Sequence, residues 1–206
     1  MEDEKKYSGL KFTRLSFMLR AKHWKNYLPE LSYKFMIASA LNEVIYDTGP
    51  VFKRFLIHGY VILGRRIYII CKLRSVTIEY ILGLFCEKIT RALADEEKRE
   101  REREKYKETA HVKDKVHISA TDLFDFFPIY NQWIEPLIMG QHVHLGYYDP
   151  RLERVKDIIG REQFCSRIDY SGGEGPVIVS KENSKEPDEK EKKYRKRRTT
   201  TRKKIK

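Results

Sequence analysis

Cysteine is scarce in this chain. Its 206 residues hold only Cys71, Cys86 and Cys165, widely spaced and set among apolar or helical residues. No CxxC pair occurs, which argues against a zinc finger and against a disulfide framework, and the thiols suit a reducing compartment. The N-terminal stretch MEDEKKYSGLKF lacks the apolar core of a secretory signal. Long apolar runs are also missing. The longest, around residues 55–73, is interrupted by His58, Gly64, Arg65, Arg66 and Lys72, too often for a membrane span. The expectation is a soluble, cytoplasmic protein with no membrane partner. No internal repeat is visible.

Acidic residues are absent from the end of the chain. KKYRKRRTTTRKKIK, residues 192–206, contains ten Lys or Arg and no Asp or Glu. The net charge is +12, so without these fifteen residues the chain carries only about +2. The body is near neutral and the cationic charge sits on an arm. Residues 181–206 are polar and aperiodic, and are expected to form a disordered basic tail. Arg195, Lys196, Arg197 and Arg198 within it are candidate nucleic-acid contacts, since clustered cations displace counterions from a phosphate backbone. A solvated solubility tail is the plainer alternative.

The body reads as an α+β domain over residues 1–180. LKFTRLSFMLR, residues 10–20, is rich in β formers and reads as a strand. Pro29 then opens a helix that Gly49-Pro50 closes, with Leu31, Phe35, Ala38 and Leu41 or Asn42 tracking one face. In VFKRFLIHGYVILGRRIYIICKL, two β-rich runs flank Gly64-Arg65, the pattern of a tight hairpin. Ile78, Ile81, Leu82, Phe85, Ile89 and Leu93 follow at helical spacing, with Ser75 or Thr77 as cap.

That helix runs toward a charged helical insertion at about residues 95–115, which holds eight acids and eight bases. Polar all round, it is expected to project into solvent. DLFDFFPIYNQWIEPLIMG, with its aromatics and two prolines, reads as a packed connection. QHVHLGYY reads as a short strand. DPRLERVKDIIG reads as a helix with Asp149 as cap, Pro150 in the first turn, Leu152, Val155, Ile158 and Ile159 inward, and Gly160 as terminator. YSGGEGPVIVS reads as a turn and a last short strand. The order predicts a ferredoxin-like β-α-β-β-α-β core, a scaffold that does not by itself fix a function.

Three stretches carry a family resemblance. The first is the hairpin run from Tyr60 to Ile69. The second is QFCSRIDYSGGEGPVIV, through Phe164, Ser166, Asp169, Tyr170, Gly172 and Gly175. The third is carried by Tyr130, Gln132, Trp133, His142 and Leu145. Together they resemble the single-tyrosine HUH transposases, especially the REP-associated tyrosine transposases. The resemblance implies an HUH-type ferredoxin-like fold and a DNA partner, single-stranded or hairpin, bound by a monomer or homodimer. In that family two histidines on the hairpin's second strand hold Mg²⁺ or Mn²⁺, which polarises the scissile phosphate. A tyrosine on the late helix attacks the phosphorus and forms a phosphotyrosine.

The histidine positions hold Arg66 and Tyr68 here, and the nucleophile position falls near Asp157. No tyrosine occurs between Asp149 and Phe164. Arginine stays protonated and cannot ligate a metal. The resemblance thus implies a transposase-like DNA-binding protein without strand transfer and without a cofactor, with Arg65 and Arg66 on phosphates. Two alternatives stand beside it. One is an active DNA transposase or nuclease using Mg²⁺ or Mn²⁺ at another site. The other is an RNA-binding or interaction module on the same scaffold.

His142-Val143-His144 bears on that choice. Strand residues i and i+2 share a face, so the pair has the geometry to ligate a metal, with Tyr147 or Tyr148 as nucleophile. The plainer reading is two outward strand histidines, and a third is edges that stack on unpaired bases. His58 reads as a core-edge histidine, and Trp24 and Trp133 as core anchors.

Overall fold

The computed structural model describes residues 12–48, 54–105, 123–131 and 133–181, with residues 100–105 as helical backbone. The architecture is α+β, a four-stranded antiparallel sheet with helices on both faces. The first strand, β1, spans Thr13–Ala21. Alternation makes it: Phe17, Leu19 and Ala21 are buried, while Arg14, Ser16 and Arg20 point the other way. A 3₁₀ turn at His23–Tyr27 buries Trp24, whose Nε1–H donates to Leu123 O at 2.7 Å.

Helix α1 spans Glu30–Asp47, opened by Pro29 as expected. Its buried face is Tyr33, Ile37, Ala38, Ala40, Leu41 and Val44: Ala38 and Leu41 are buried as expected, but Leu31 and Phe35 are exposed, which corrects that part of the expected face. The stripe from Tyr33 runs the length of the helix, and the sheet takes the longer stripe. Phe35 instead meets Phe164 edge-on, with ring centroids 5.1 Å apart.

Strands β2 (Phe55–Leu63) and β3 (Arg66–Leu73) form the expected hairpin about Gly64-Arg65. Gly64 has φ +54°, a left-handed conformation that suits glycine in such a turn. Helix α2 spans Ile78–Lys105 and buries Ile81, Phe85 and Ile89. Its cap is Thr77, whose Oγ1 accepts from the Tyr80 N–H at 3.3 Å, while Ser75 takes φ +58° in the preceding turn. Glu96 and Arg99 pair at 3.5 Å on its polar extension. Residues 95–105 of the charged insertion are thus helical, while residues 106–115, like Arg195–Arg198 and the tail from 182, lie outside the described residues.

Strand β4 corrects the sequence reading. It is Phe124–Pro128, inside the stretch expected to be an irregular connection, and residues 141–148 form no strand. The open edge of β1 decides this. FDFFP alternates well enough to pair there, with Phe124 against Trp24 and Phe85 and Phe126 stacked on Phe17. Pro128 ends the strand, since it has no N–H to give. The sheet order is β2-β3-β1-β4, with every pairing antiparallel.

Helices α1 and α2 cover one face around a core that includes Phe17, Ile37, Ile57, Ile69 and Phe85. The other face carries a smaller cluster, Val61, Ile70, Leu137, Ile138, Val143 and Ile159. It docks helices α3 (Ile134–Ile138), α4 (Pro150–Arg161) and α5 (Arg167–Tyr170) onto β2 and β3. Asp149 caps α4 as expected, its Oδ1 accepting from the Arg151 N–H at 2.8 Å. Leu152, Val155 and Ile159 face inward, but Ile158 is exposed, because it falls off that i, i+3, i+7 stripe. Gly160 does not terminate α4, which runs on to Arg161.

Residues 171–180 form no strand. Hydrogen bonds hold them individually: Asn42 Nδ2–H donates to Pro176 O at 2.9 Å, and Ser180 N–H to Ile57 O at 2.7 Å. The edge of β2 is closed by Ile62 N–H to Phe164 O at 3.0 Å and Ser166 N–H to Tyr60 O at 2.9 Å. Among the described residues, no helix is long and apolar enough to cross a membrane.

Candidate nucleic-acid interface

The face of the sheet opposite α1 and α2 is only partly covered. Its side chains form rows across the strands. One row is Phe127 on β4, Met18 on β1, Tyr68 on β3 and Val61 on β2. The next is Asp125, Arg20, Arg66 and Leu63. Below them lies Ser16 beside Ile70, then Arg14 beside Lys72. Helix α3 closes the lower end: Glu135 accepts hydrogen bonds from Ser16 and from Arg14, the latter at 2.8 Å. The α3–α5 layer covers Val61 and Ile70 and reaches Tyr68, which stays half-buried. Phe127, Arg20 and Arg66 remain exposed.

These exposed groups form a connected surface. Arg20 donates through Nε and Nη2 to Asp125 Oδ2 at 3.1 and 2.9 Å, and its Cζ lies 5.2 Å from the Phe127 ring centroid. The Arg66 side chain makes no hydrogen bond or ion pair among the described residues. Arg14, Arg20, Lys22, Arg66 and Lys72 lie on or beside this face against two carboxylates, Asp125 and Glu135. The result is a positive surface with aromatic rings in it. Such a surface can stack bases and contact phosphates.

The two arginines of the turn separate in role. Arg65 is half-buried and closes the end of β1, with Nε donating to Ala21 O at 3.1 Å and its carbonyl accepting from Ala21 N–H at 2.8 Å. Arg66 is the one left for a ligand.

Of the positions drawn from the resemblance, Arg66 and Tyr68 lie side by side on this face, as i and i+2 on a strand must. Asp157 does not join them. It sits on the side of α4 away from the Leu152–Val155–Ile159 stripe, exposed, in a cleft with His142 and His144. That cleft, of about 430 Å³, separates α4 from the segment after α3. Val143 anchors the segment inward and both histidines face out, their ring centroids 6.1 Å apart. Among the described residues no three His, Cys, Asp or Glu side chains come together as a metal site. Tyr147 and Tyr148 are exposed along an adjoining hollow of about 360 Å³.

Other singled-out residues are structural. His58 is buried at an irregularity of β2, with Nδ1 2.6 Å from Ser180 O. Trp24 is the core anchor expected, whereas Trp133, just before α3, is exposed and is not one. Burial pushes the Cys165 thiol up to about 11, which keeps it protonated and unreactive. Sequence reasoning missed Arg20, Met18, Asp125 and Phe127. The alternation in FDFFP was the available signal, masked by its run of aromatics and its proline. Comparison with protein-family models, with curated proteins and with solved structures finds no match.

Proposed function

We propose that this chain binds single-stranded or hairpin DNA across the uncovered sheet face, as a transposase-like protein on a ferredoxin-like scaffold. The observation that carries the reading is the pair of adjacent rows Phe127–Met18–Tyr68 and Asp125–Arg20–Arg66, which set the exposed Phe127 ring and the half-buried Tyr68 beside Arg20, paired with Asp125, and the exposed Arg66. The element order β-α-β-β-α-β and the sheet order β2-β3-β1-β4 support the scaffold. Rings take bases by stacking and guanidinium groups take phosphates. The basic tail adds a sequence-independent attraction. The reading contains no strand-transfer step, because the positions that resemble metal-ligand slots hold Arg66 and Tyr68.

The test is fluorescence anisotropy with a labelled single-stranded DNA 20-mer across a salt series. Phe127→Ala should weaken binding by about 1–3 kcal/mol, the usual worth of one base–aromatic stack. Arg66→Ala should flatten the log–log salt slope by about 0.7, one phosphate contact on a single strand. Deleting residues 192–206 should flatten it further. Unchanged affinity and slope in both sheet variants would remove the sheet face from the account. Incubation with hairpin DNA and Mn²⁺ should give no covalent adduct, and an adduct would establish transesterase activity instead. An RNA competitor that displaces DNA at equal concentration would mark a binder indifferent to the 2′-hydroxyl.

A further inference from the structure

The cleft between α4 and the segment after α3 has a feature the sheet face does not explain. Arg167 threads into it between two glycines. A Cβ at Gly160 would stand 2.7 Å from Arg167 Nη1, and one at Gly140 would stand 3.2 Å from Arg167 Cγ. Gly140 has φ +72°, so its backbone alone accounts for glycine there. Gly160 has no such reason. It lies within α4, where glycine is among the least favourable residues. What its missing side chain provides is room for the Arg167 guanidinium.

That guanidinium is exposed and makes no hydrogen bond or ion pair among the described residues, and the same holds for the Arg161 side chain. Lys156, paired with Glu153 at 2.6 Å, adds a third cation to the lining. His142 and His144 stand on the opposite wall as nitrogen donors, and Asp157 is the one carboxylate lining the cleft among the described residues. Two guanidinium groups, a lysine shared with Glu153 and two imidazoles, against Asp157 in the lining, make a site for an anion, and planar forks suit tetrahedral oxyanions.

We propose that this cleft is a phosphate site, in which Arg167 and Arg161 take the phosphate oxygens and Lys156, His142 and His144 complete the ring of donors. The ligand chemistry is a phosphate monoester or free phosphate. The adjoining hollow with Tyr147 and Tyr148 gives a nucleotide end somewhere to continue. The proposal does not rest on the reading of the sheet face.

The test uses the full chain and calorimetric titration with three probes: inorganic phosphate, the dinucleotide pTpT, and TpT without the terminal phosphate. Binding of pTpT at least tenfold tighter than TpT is the expected result. Phosphate binding as tightly as pTpT identifies free phosphate as the ligand, and weaker phosphate binding identifies the nucleotide end; either supports the site. Arg167→Ala should weaken pTpT tenfold or more, and Gly160→Ala, which only makes the flexible guanidinium shift, should weaken it by less. Gly160→Ala keeps every cation, favours the helix, and only displaces the guanidinium, so it should fold at least as well as the parent. It should also leave the affinity for an unphosphorylated 20-mer unchanged. Phe127→Ala should not alter pTpT binding, so failure of the sheet-face reading leaves this result standing. Equal affinity for pTpT and TpT, or parental pTpT affinity in Arg167→Ala, would overturn the proposal.

Discussion

Ser166→Ala removes one oxygen and should cost several kcal/mol. Ser166 is completely buried, and its hydroxyl joins two layers of the protein. The Oγ–H donates to Ile138 O at 2.8 Å, and Oγ accepts from the Tyr60 N–H at 3.0 Å. Alanine keeps the backbone bond from Ser166 N–H to Tyr60 O and creates almost no cavity. What it leaves is an unpaired N–H and a nearly unpaired C=O, both in buried residues. The Cys165 thiol, 3.9 Å from Ile138 O, is too weak a donor to replace the hydroxyl.

Each orphaned buried group costs about 1–3 kcal/mol, so the pair should cost about 2–6 kcal/mol. Against a total stability of about 5–15 kcal/mol that is a large share, and for a chain of this size it lowers Tm by roughly 4–24 °C. Urea denaturation followed by tryptophan fluorescence measures the loss, and amide exchange at Tyr60 and Ile62 should quicken with it. A loss below about 0.5 kcal/mol at unchanged m would refute the reasoning, since it would mean the orphaned groups find other partners.

Two further perturbations test other parts of the chain. Asp149→Ala deletes the cap of α4, where Oδ1 accepts from Arg151 N–H at 2.8 Å, and should cost about 1 kcal/mol; an unchanged thermal melt by circular dichroism would contradict it. Burial pushes the Cys71 thiol up to about 12 and Cys165 to about 11, against an unfolded value of about 8.5. Below the unfolded value both states hold the proton and the contribution is fully present. Above it the unfolded chain releases protons that the fold retains, so stability falls by about 1.4 kcal/mol per pH unit per thiol until the folded value is reached. The urea midpoint should therefore be level from pH 7 to about 8.5 and drop by pH 10, less steeply in Cys165→Ala. A midpoint that holds at pH 10 would count against thiol burial.

Local chemistry was legible along most of the chain. The Gly64-Arg65 turn, the Asp149-Pro150 start of α4 and the bounds of α1 follow from backbone preferences that need no partner. Faces were harder to read. Leu31 and Phe35 have helical spacing as good as that of the buried stripe, and only the position of the sheet selects Tyr33 and Ile37. The histidine pair shows the same limit. Its spacing puts both rings outward around buried Val143, but which wall they meet depends on where α4 docks.

By itself the sequence determined an α+β chain, the succession of its first five elements, a near-neutral body and a cationic end. These rest on interactions between near neighbours and on composition. The tertiary structure decided that FDFFP is the fourth strand, because a strand of five residues exists only where another strand offers an open edge. It also decided that Arg20 and Phe127 lie in one connected surface with Arg66, and that Gly160 makes way for Arg167. Arg20, Arg66 and Phe127 are far apart in sequence, and Gly160 and Arg167 lie on different helices; no local preference encodes these meetings, which are set by sheet register and helix docking and depend on burying the whole core at once.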